Sequence, residues 1–227
     1  MEKEKIDLSL IEKICSSRPK ANREIDQVHM RPESIVSQLE IMENYVMQKD
    51  ILFLGDDDFL SVFSGIFLKP KSITVLEIDK RIIDSLIVQG KMNSLELKVY
   101  KYGVGDKLPS NFQKKFDFFV TNPPYGSKNK GESGKIFLGR CLEATKKNGL
   151  GCFILPYDPD IDWTKEAMLN IQQMLVKSEC VMLEVARNTH KYFHPNKNLT
   201  SSAYIIQKLS NLKPFSYDKT FKRSNLY

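Results

Sequence analysis

The stretch "ILFLGDDDFLSVFSGIFLKPKSITVLEIDK", residues 51–80, decides the fold. Residues 51–54 are apolar at every position, and a strand that is apolar on both faces belongs in a parallel sheet covered on both sides. Gly55 ends that run and frees the backbone for a tight turn. "FLSVFSGIFL" then has helical periodicity and stops at "KPK". "SITVLEID" is a second strand. Strand, turn, helix and strand in this order make a βαβ unit.

The alternation continues toward the C-terminus. "KRIIDSLIVQGKMN" reads as a helix and "LELKVYKYG" as a third strand. "FDFFVTN" is the fourth strand. "GESGKIFLGRCLEATKKNG" follows as a helix closed by Gly149, and "GCFILPY" as a fifth strand. "DWTKEAMLNIQQMLVKS" is a helix, "CVMLEVARN" a sixth strand and "SSAYIIQKLS" a seventh. The last two strands have no helix between them, which predicts an antiparallel edge. Toward the N-terminus, residues 1–47 are polar and helical. "IDLSLIEKICSS" has helical periodicity with apolar Ile6, Leu8, Leu10, Ile11 and Ile14, and "RPESIVSQLEIMENYVMQ" begins a helix with Pro32 in its first turn. A basic connector, "RPKANREIDQ", lies between them. The expected organisation is a helical extension over 1–47 and one α/β domain over 48–227. The extension is expected to pack on the sheet or on a second subunit of a homodimer. This strand order is similar to the seven-stranded, Rossmann-like sheet of the class I S-adenosylmethionine-dependent transferases. That is a likeness of fold, which does not itself give a function.

Composition bounds the partners. The chain has 227 residues, 41% hydrophobic and 27% charged, enough for a full core. Its formal net charge is +6, a weak pointer to a polyanion such as nucleic acid. Cys15, Cys141, Cys152 and Cys180 form no CxxC pair, and His29, His190 and His194 are far apart. No metal is therefore expected, and reduced core thiols in a cytoplasmic protein are. The three histidines read as surface or loop residues. No run approaches the ~18 apolar residues of a membrane span.

In a doubly wound sheet, ligands lie beyond the carboxyl ends of the strands. Three strand ends carry candidate residues. At the first, Gly55 is followed by Asp56, Asp57 and Asp58, where methyl donors usually meet a glycine-rich loop. One acid, Asp58 by position, caps the next helix. The other two would repel the carboxylate of S-adenosylmethionine and favour ligands with extra positive charge. At the second, a carboxylate can accept bonds from ribose hydroxyls. Glu77 is the first choice there, about 20 residues past Gly55, and Asp79 the second. Asp106, in "YGVGDKLP", is a candidate for the adenine amino group. The third is "FDFFVTNPPYGSK", residues 116–128. Pro123 and Pro124 fix φ and remove two donors, which leaves the preceding carbonyls free and rigidly aimed. An amine can donate to Asn122 and to a proline carbonyl, which turns its lone pair toward an electrophilic carbon on a sulfonium. Tyr125 can stack on a base or an alkylammonium. An apolar strand ending in Asn-Pro-Pro-Tyr points to amine N-alkylation. Trp163 reads as packing, and "GSKNKGESGK" as a polar loop that could serve as a substrate lid.

Taken together, these residues resemble the branched-chain polyamine synthase family, the N(4)-bis(aminopropyl)spermidine synthases. The likeness runs from about Arg18. It is carried by "RPKANREIDQVHMRPESIV", by "ILFLGDDDFLS", and by "FLGRCLEAT" and "VMLEVARNTHKY". It implies transfer of aminopropyl groups from decarboxylated S-adenosylmethionine to a spermidine nitrogen. The decarboxylated donor lacks the carboxylate that Asp56 and Asp57 would repel. The family has an Asp-Pro-Pro stretch where this chain has Asn122-Pro123-Pro124-Tyr125. An aspartate there suits a cationic polyamine, whereas an asparagine suits a neutral exocyclic amine. The family also carries an N-terminal winged-helix-like domain, where only about 47 residues precede the sheet here. Three readings follow: an aminopropyltransferase acting on a polyamine, an S-adenosylmethionine-dependent N-methyltransferase acting on nucleic acid or another amine, and a catalytically silent binding subunit.

Overall fold

The computed structural model describes residues 6–125, 129–158, 160–194 and 200–227. The β1 strand, Asp50–Leu54, lies in the middle of a sheet with β2 (Ser72–Glu77) and β4 (Phe116–Thr121) as parallel neighbours. The remaining strands are β3 (Leu97–Lys101), β5 (Thr145–Leu155), β6 (Cys180–Lys191) and β7 (Thr200–Lys208). The order across the sheet is β3-β2-β1-β4-β5-β7-β6. β7 is antiparallel to both of its neighbours and lies one position inside the edge, which β6 forms. Strand order reverses between β1 and β4, so the crevice for a ligand opens above those two strand ends.

Burial of β1 on both faces follows from its sequence. Ile51 and Phe53 point into one core with Phe118 and Val120. That core is covered by α1 (Leu8–Cys15), α2 (Pro32–Val46), α3 (Leu60–Phe67) and α4 (Lys80–Met92). Leu52 and Leu54 point into a second core with Phe119. There α5 (Glu132–Ala144) and α6 (Asp162–Lys177) supply Leu138, Ile171 and Leu175. The extension thus shares a core with the sheet: Ile11, Ile35 and Leu39 are wholly buried there, each contributing roughly 1.5–3 kcal/mol. The α1 helix is capped by Asp7, whose carboxylate accepts from the Ser9 and Leu10 amides. Past α1, residues 29–31 run beside the end of β6. Phe193 N donates to His29 O, Arg31 N donates to Lys191 O, and Met30 bridges Tyr192.

Among the boundaries that differ from the sequence reading, two have a clear physical cause. The α3 helix starts at Leu60, because Phe59 takes a left-handed conformation. The α5 helix ends at Ala144 rather than at Gly149, and β5 begins at once with Thr145 pairing Phe116. The buried Lys208 side chain donates to the Leu142 and Thr145 carbonyls, which fills the acceptors that the end of a helix leaves open. Four residues, 146–149, then bulge out before Leu150 pairs Phe118.

A tail beyond β7 packs on the second core through Phe215, Phe221 and Leu226. It is held by Arg140, which has no exposed surface. The Arg140 guanidinium donates to Glu143, to the Ser216 and Lys219 carbonyls and to Val104 O at 3.1 Å. One buried cation therefore joins α5, the tail and the loop after β3.

His190 sits in β6 with no exposed surface, contrary to its reading as a surface or loop residue. Burial lowers its pKa from 6.5 to about 4. The unfolded chain takes up this proton near pH 6.5 and the folded protein only near pH 4. The contribution is complete above the first value and is lost as pH falls toward the second. The His190 share should fall across that window, read as the difference in denaturant midpoint between the parent and His190→Phe; the acids Asp56, Asp57 and Glu77, whose pKa values burial raises, act in the opposite sense in both proteins. His29 titrates low as well, through burial and through Arg18, Arg23 and Arg81, and it too acts in both proteins. A difference that stays constant with pH would show that His190 protonates without cost to the fold.

Candidate active site

The turn after β1 sorts three adjacent aspartates into three roles. Gly55 adopts φ +73°, a conformation that L side chains rarely take, and its amide donates to Leu76 O. Asp56 turns inward and accepts from the Ser61 amide and hydroxyl, so it performs the helix-start role that the sequence suggested for Asp58. Asp58 is buried in an ion pair with Arg18 at 3.1 Å and also accepts from the Met30 amide at 2.7 Å. Its second oxygen accepts from Asn122 Nδ2 at 3.3 Å. Asp57 is the acid that faces the crevice. Burial, then the charges of Asp58, Glu77 and Asp56, push its pKa well above the ordinary carboxylate value.

At the end of β4, the Thr121 hydroxyl donates to Leu54 O and ties that strand to β1. Pro123 and Pro124 carry no N–H, so nothing from this turn competes for the Asn122 side chain. Asn122 Oδ1 is buried with no hydrogen-bond partner among the described residues, and the Tyr125 hydroxyl is buried beside the Ser201 and Tyr192 hydroxyls. The Tyr125 ring meets Tyr192 edge-on, with centroids 5.9 Å apart. A buried carbonyl oxygen without a donor costs free energy, and a ligand N–H would recover it.

The crevice is a cavity of about 390 Å³, within the usual range for small-molecule sites. It is lined by Gly55, Leu76, Glu77, Tyr102, Val104 and Phe137. Asp57, Asn122, Tyr125, Trp163 and Tyr192 line it as well. Residues of the connector, among them Asp26 and Gln27, close one side. Among the described residues carboxylates outnumber cations on these walls: Asp26, Asp57 and Glu77 stand against Arg23.

Glu77 does more than the sequence suggested. It accepts from the Asp56 amide at 2.8 Å and from the Ile78 and Asp79 amides at 2.7 and 2.8 Å. Three of the roughly four acceptor positions of a carboxylate are thus filled by backbone. About one remains for a ribose hydroxyl. Asp79 caps α4 and pairs with Arg81 and Gln27, off the cavity wall. Asp106 is exposed, while its neighbours Tyr102 and Val104 line the cavity. The structure thus gathers Gly55, Asp57, Glu77 and residues 122–125 around one space, and leaves Asp56, Asp79 and Asp106 outside it.

Other wall residues had no signal in the sequence. Trp163 lines the cavity, though it reads as packing. Tyr192 and His194 come from the end of β6, and Tyr227 from the tail. Their only cue was aromatic character beside a helix start or a strand end. Residues 126–128 of the suggested lid lie outside the described residues. Among the described residues no three His, Cys, Asp or Glu side chains are placed to hold a metal ion, and no helix is long and apolar enough to cross a membrane.

Glu77→Ala should weaken binding of an adenosine-containing ligand by about 1.5–3 kcal/mol, because it removes a charged acceptor and frees three amides that shape the wall. Calorimetry with S-adenosylmethionine and its decarboxylated form reads this directly. Affinity equal to the parent would leave Glu77 a loop-building acid only.

Comparison with known proteins places this geometry. Residues 8–227 match the family model described as the branched-chain polyamine synthase A C-terminal domain. The N(4)-bis(aminopropyl)spermidine synthase of Methanocaldococcus jannaschii is 30% identical over 191 residues, which cover 82% of this chain and 52% of the relative. The synthase of the same name from Thermus thermophilus is 27% identical over 180 residues, covering 78% and 51%. The chain thus spans about half the length of the curated relatives it matches. Among solved structures, a mutein of the branched-chain polyamine synthase from Thermus thermophilus, in complex with N4-aminopropylspermidine and 5′-methylthioadenosine, superposes with a TM-score of 0.82. It is 21% identical, and the match covers 95% of this chain and 66% of that one. A methyltransferase from Pyrococcus furiosus superposes with a TM-score of 0.59 at 14% identity, covering 80% and 85%. These likenesses agree with the class I Rossmann-like sheet.

Proposed function

The chain belongs to the branched-chain polyamine synthase family, and we propose that its cavity transfers an aminopropyl group from decarboxylated S-adenosylmethionine to a nitrogen of a polyamine. The observation that carries this reading is the Asp57 carboxylate, which faces the cavity and meets no hydrogen-bond donor among the described residues. Burial and the neighbouring acids favour the protonated form of Asp57, and a bound cation draws that proton off. In the ionised form, at about 4 Å and an effective dielectric near 20, a second carboxylate would be opposed by roughly 4 kcal/mol. A donor without a carboxylate escapes that repulsion, and its sulfonium and ammonium charges are attracted. Two of the relatives named above are N(4)-bis(aminopropyl)spermidine synthases, and a mutein of the Thermus thermophilus branched-chain polyamine synthase was crystallised with N4-aminopropylspermidine and 5′-methylthioadenosine.

The roles follow from position. The adenosine end lies over Gly55, with Glu77 at the ribose and Tyr102, Val104 and Phe137 around the base. Asn122 Oδ1 accepts one hydrogen of the acceptor amine, and Tyr125 and Trp163 flank its alkyl chain. The amine lone pair attacks the propyl carbon bonded to sulfur. The C–N bond forms, the C–S bond breaks with its electrons going to sulfur, and 5′-methylthioadenosine leaves. The proton lost by the amine passes to the acidic wall or to water. Asn122 and the two prolines position the amine, and acid–base chemistry is secondary.

Asn122 itself sustains a second reading, S-adenosylmethionine-dependent methylation of a neutral amine, including an exocyclic amine of nucleic acid. An amide oxygen serves such an acceptor equally well. The acidic wall disfavours a phosphate-bearing acceptor, despite the +6 charge of the chain. One chain supplies all of these residues, so the reading does not require a homodimer. Four unpaired cysteines fit a reducing, cytoplasmic setting.

Calorimetry and turnover with both donors test the proposal, using spermidine and mixed nucleic acid as acceptors. The decarboxylated donor should bind at least about tenfold tighter and support transfer to spermidine, and Asp57→Asn should narrow the preference. Tighter binding of S-adenosylmethionine with methyl transfer would select the second reading. Binding without turnover by either donor would leave a silent binding subunit.

A further inference from the structure

We propose that Arg18, at the start of the connector, is a positioning residue for the transfer: through Asp58 it fixes the Asn122 side-chain amide with its oxygen toward the acceptor amine. This rests on the amine-alkylation reading above. The connection is short and buried. Arg18 Nη1 lies 3.1 Å from Asp58 Oδ1, and Asp58 Oδ2 lies 3.3 Å from Asn122 Nδ2. The Arg18 and Asp58 side chains are 3% and 2% exposed. The guanidinium is set in advance by bonds to Cys15 O at 3.3 Å and to Met30 O at 3.2 Å.

The chemistry of the middle group decides the direction of the amide. An ionised carboxylate only accepts, so Asn122 must turn its NH2 toward Asp58 and its oxygen away. A protonated Asp58 could donate instead, and the amide could then turn over and present NH2 to the acceptor. Two N–H groups would face each other, and the lone pair of the acceptor would lose its aim.

Burial favours that protonated form and pushes the Asp58 pKa up. Arg18 is the charge that opposes it, helped by the Met30 amide and the Asn122 side chain. The other titratable groups facing Asp58 are Cys15, Asp56, Asp57, Tyr125 and Tyr192, and none of them carries positive charge. Without Arg18, Asp58 has no compensating cation among the described residues. Its proton would then stay on to higher pH, and turnover would fall as pH drops through the raised pKa.

The experiment compares the parent, Arg18→Gln and Arg18→Gln/Asp58→Asn from about pH 6 to about pH 9. The ratio of variant to parent turnover cancels ionisation of the acceptor amine. Arg18→Gln should lose at least about tenfold in kcat at the low end and recover to within about threefold at the high end, with donor affinity close to the parent. The double variant has a neutral amide at position 58 that both donates and accepts. It should be low at every pH, and it still carries any effect of Arg18 on neighbouring His29. The amide ¹⁵N signal of Asn122, assigned by its loss in Asn122→Gln, should shift with pH in Arg18→Gln and hold still in the parent. A pH-independent loss in Arg18→Gln with a stationary amide signal would overturn the proposal, as a purely structural role would. If Arg18→Gln does not fold, the double variant, which buries neither charge, decides: parent-like turnover overturns the proposal and depressed turnover supports it. If the parent transfers no alkyl group, the proposed function fails, and the amide signal alone still decides the role of Arg18.

Discussion

Asp58 holds together the parts from which the cavity is built. Its carboxylate accepts from the connector through Arg18 and the Met30 amide, and from the end of β4 through Asn122, while its backbone belongs to the turn after β1. A buried ion pair is a poor source of net stability, since apolar groups of the same size often do as well or better. Breaking one after it is buried costs about 3–5 kcal/mol. Such a pair therefore fixes an arrangement more than it stabilises a fold. The arrangement here is the placement of one amide oxygen against the cavity.

The connector also changes what the helical extension is. Its helices cover one face of the sheet, and the segment between them supplies a cavity wall. The wall it helps to close is acidic in a chain whose net charge is +6. Global charge and local field thus have opposite signs. A polycationic acceptor is drawn by the local field, and the basic exterior is left as a solvated surface.

Much of this was legible in the sequence because it is local. The apolar run 51–54 ending at Gly55 specifies a central parallel strand, and the proline pair after Thr121 specifies a strand end that cannot continue. Both signals arise from neighbours in the chain. What the sequence left open depends on contacts between distant residues. Nothing in "GDDD" says that Asp57 would face the cavity, because that choice is made by Ser61 taking Asp56 and Arg18 taking Asp58. Asp106 has suitable chemistry and position in sequence, yet the loop after β3 turns Tyr102 and Val104 inward instead. That loop is tied to Arg140 and the tail, a connection between residues 36 or more positions apart. The end of α5 was misplaced for a related reason: Lys208, from another strand, takes the Leu142 and Thr145 carbonyls, and the Lys114 and Lys115 amides take those of Glu143 and Ala144.

The most direct test of the account is a crystal structure of this chain with 5′-methylthioadenosine and spermidine bound together. The account predicts the nucleoside over Gly55 with a ribose hydroxyl on Glu77, and a spermidine nitrogen within about 3.2 Å of Asn122 Oδ1. Asp58 would remain on the amide nitrogen. An amine nitrogen on the other side of the cavity, or Asn122 presenting its NH2 to the ligand with Asp58 turned away, would contradict it.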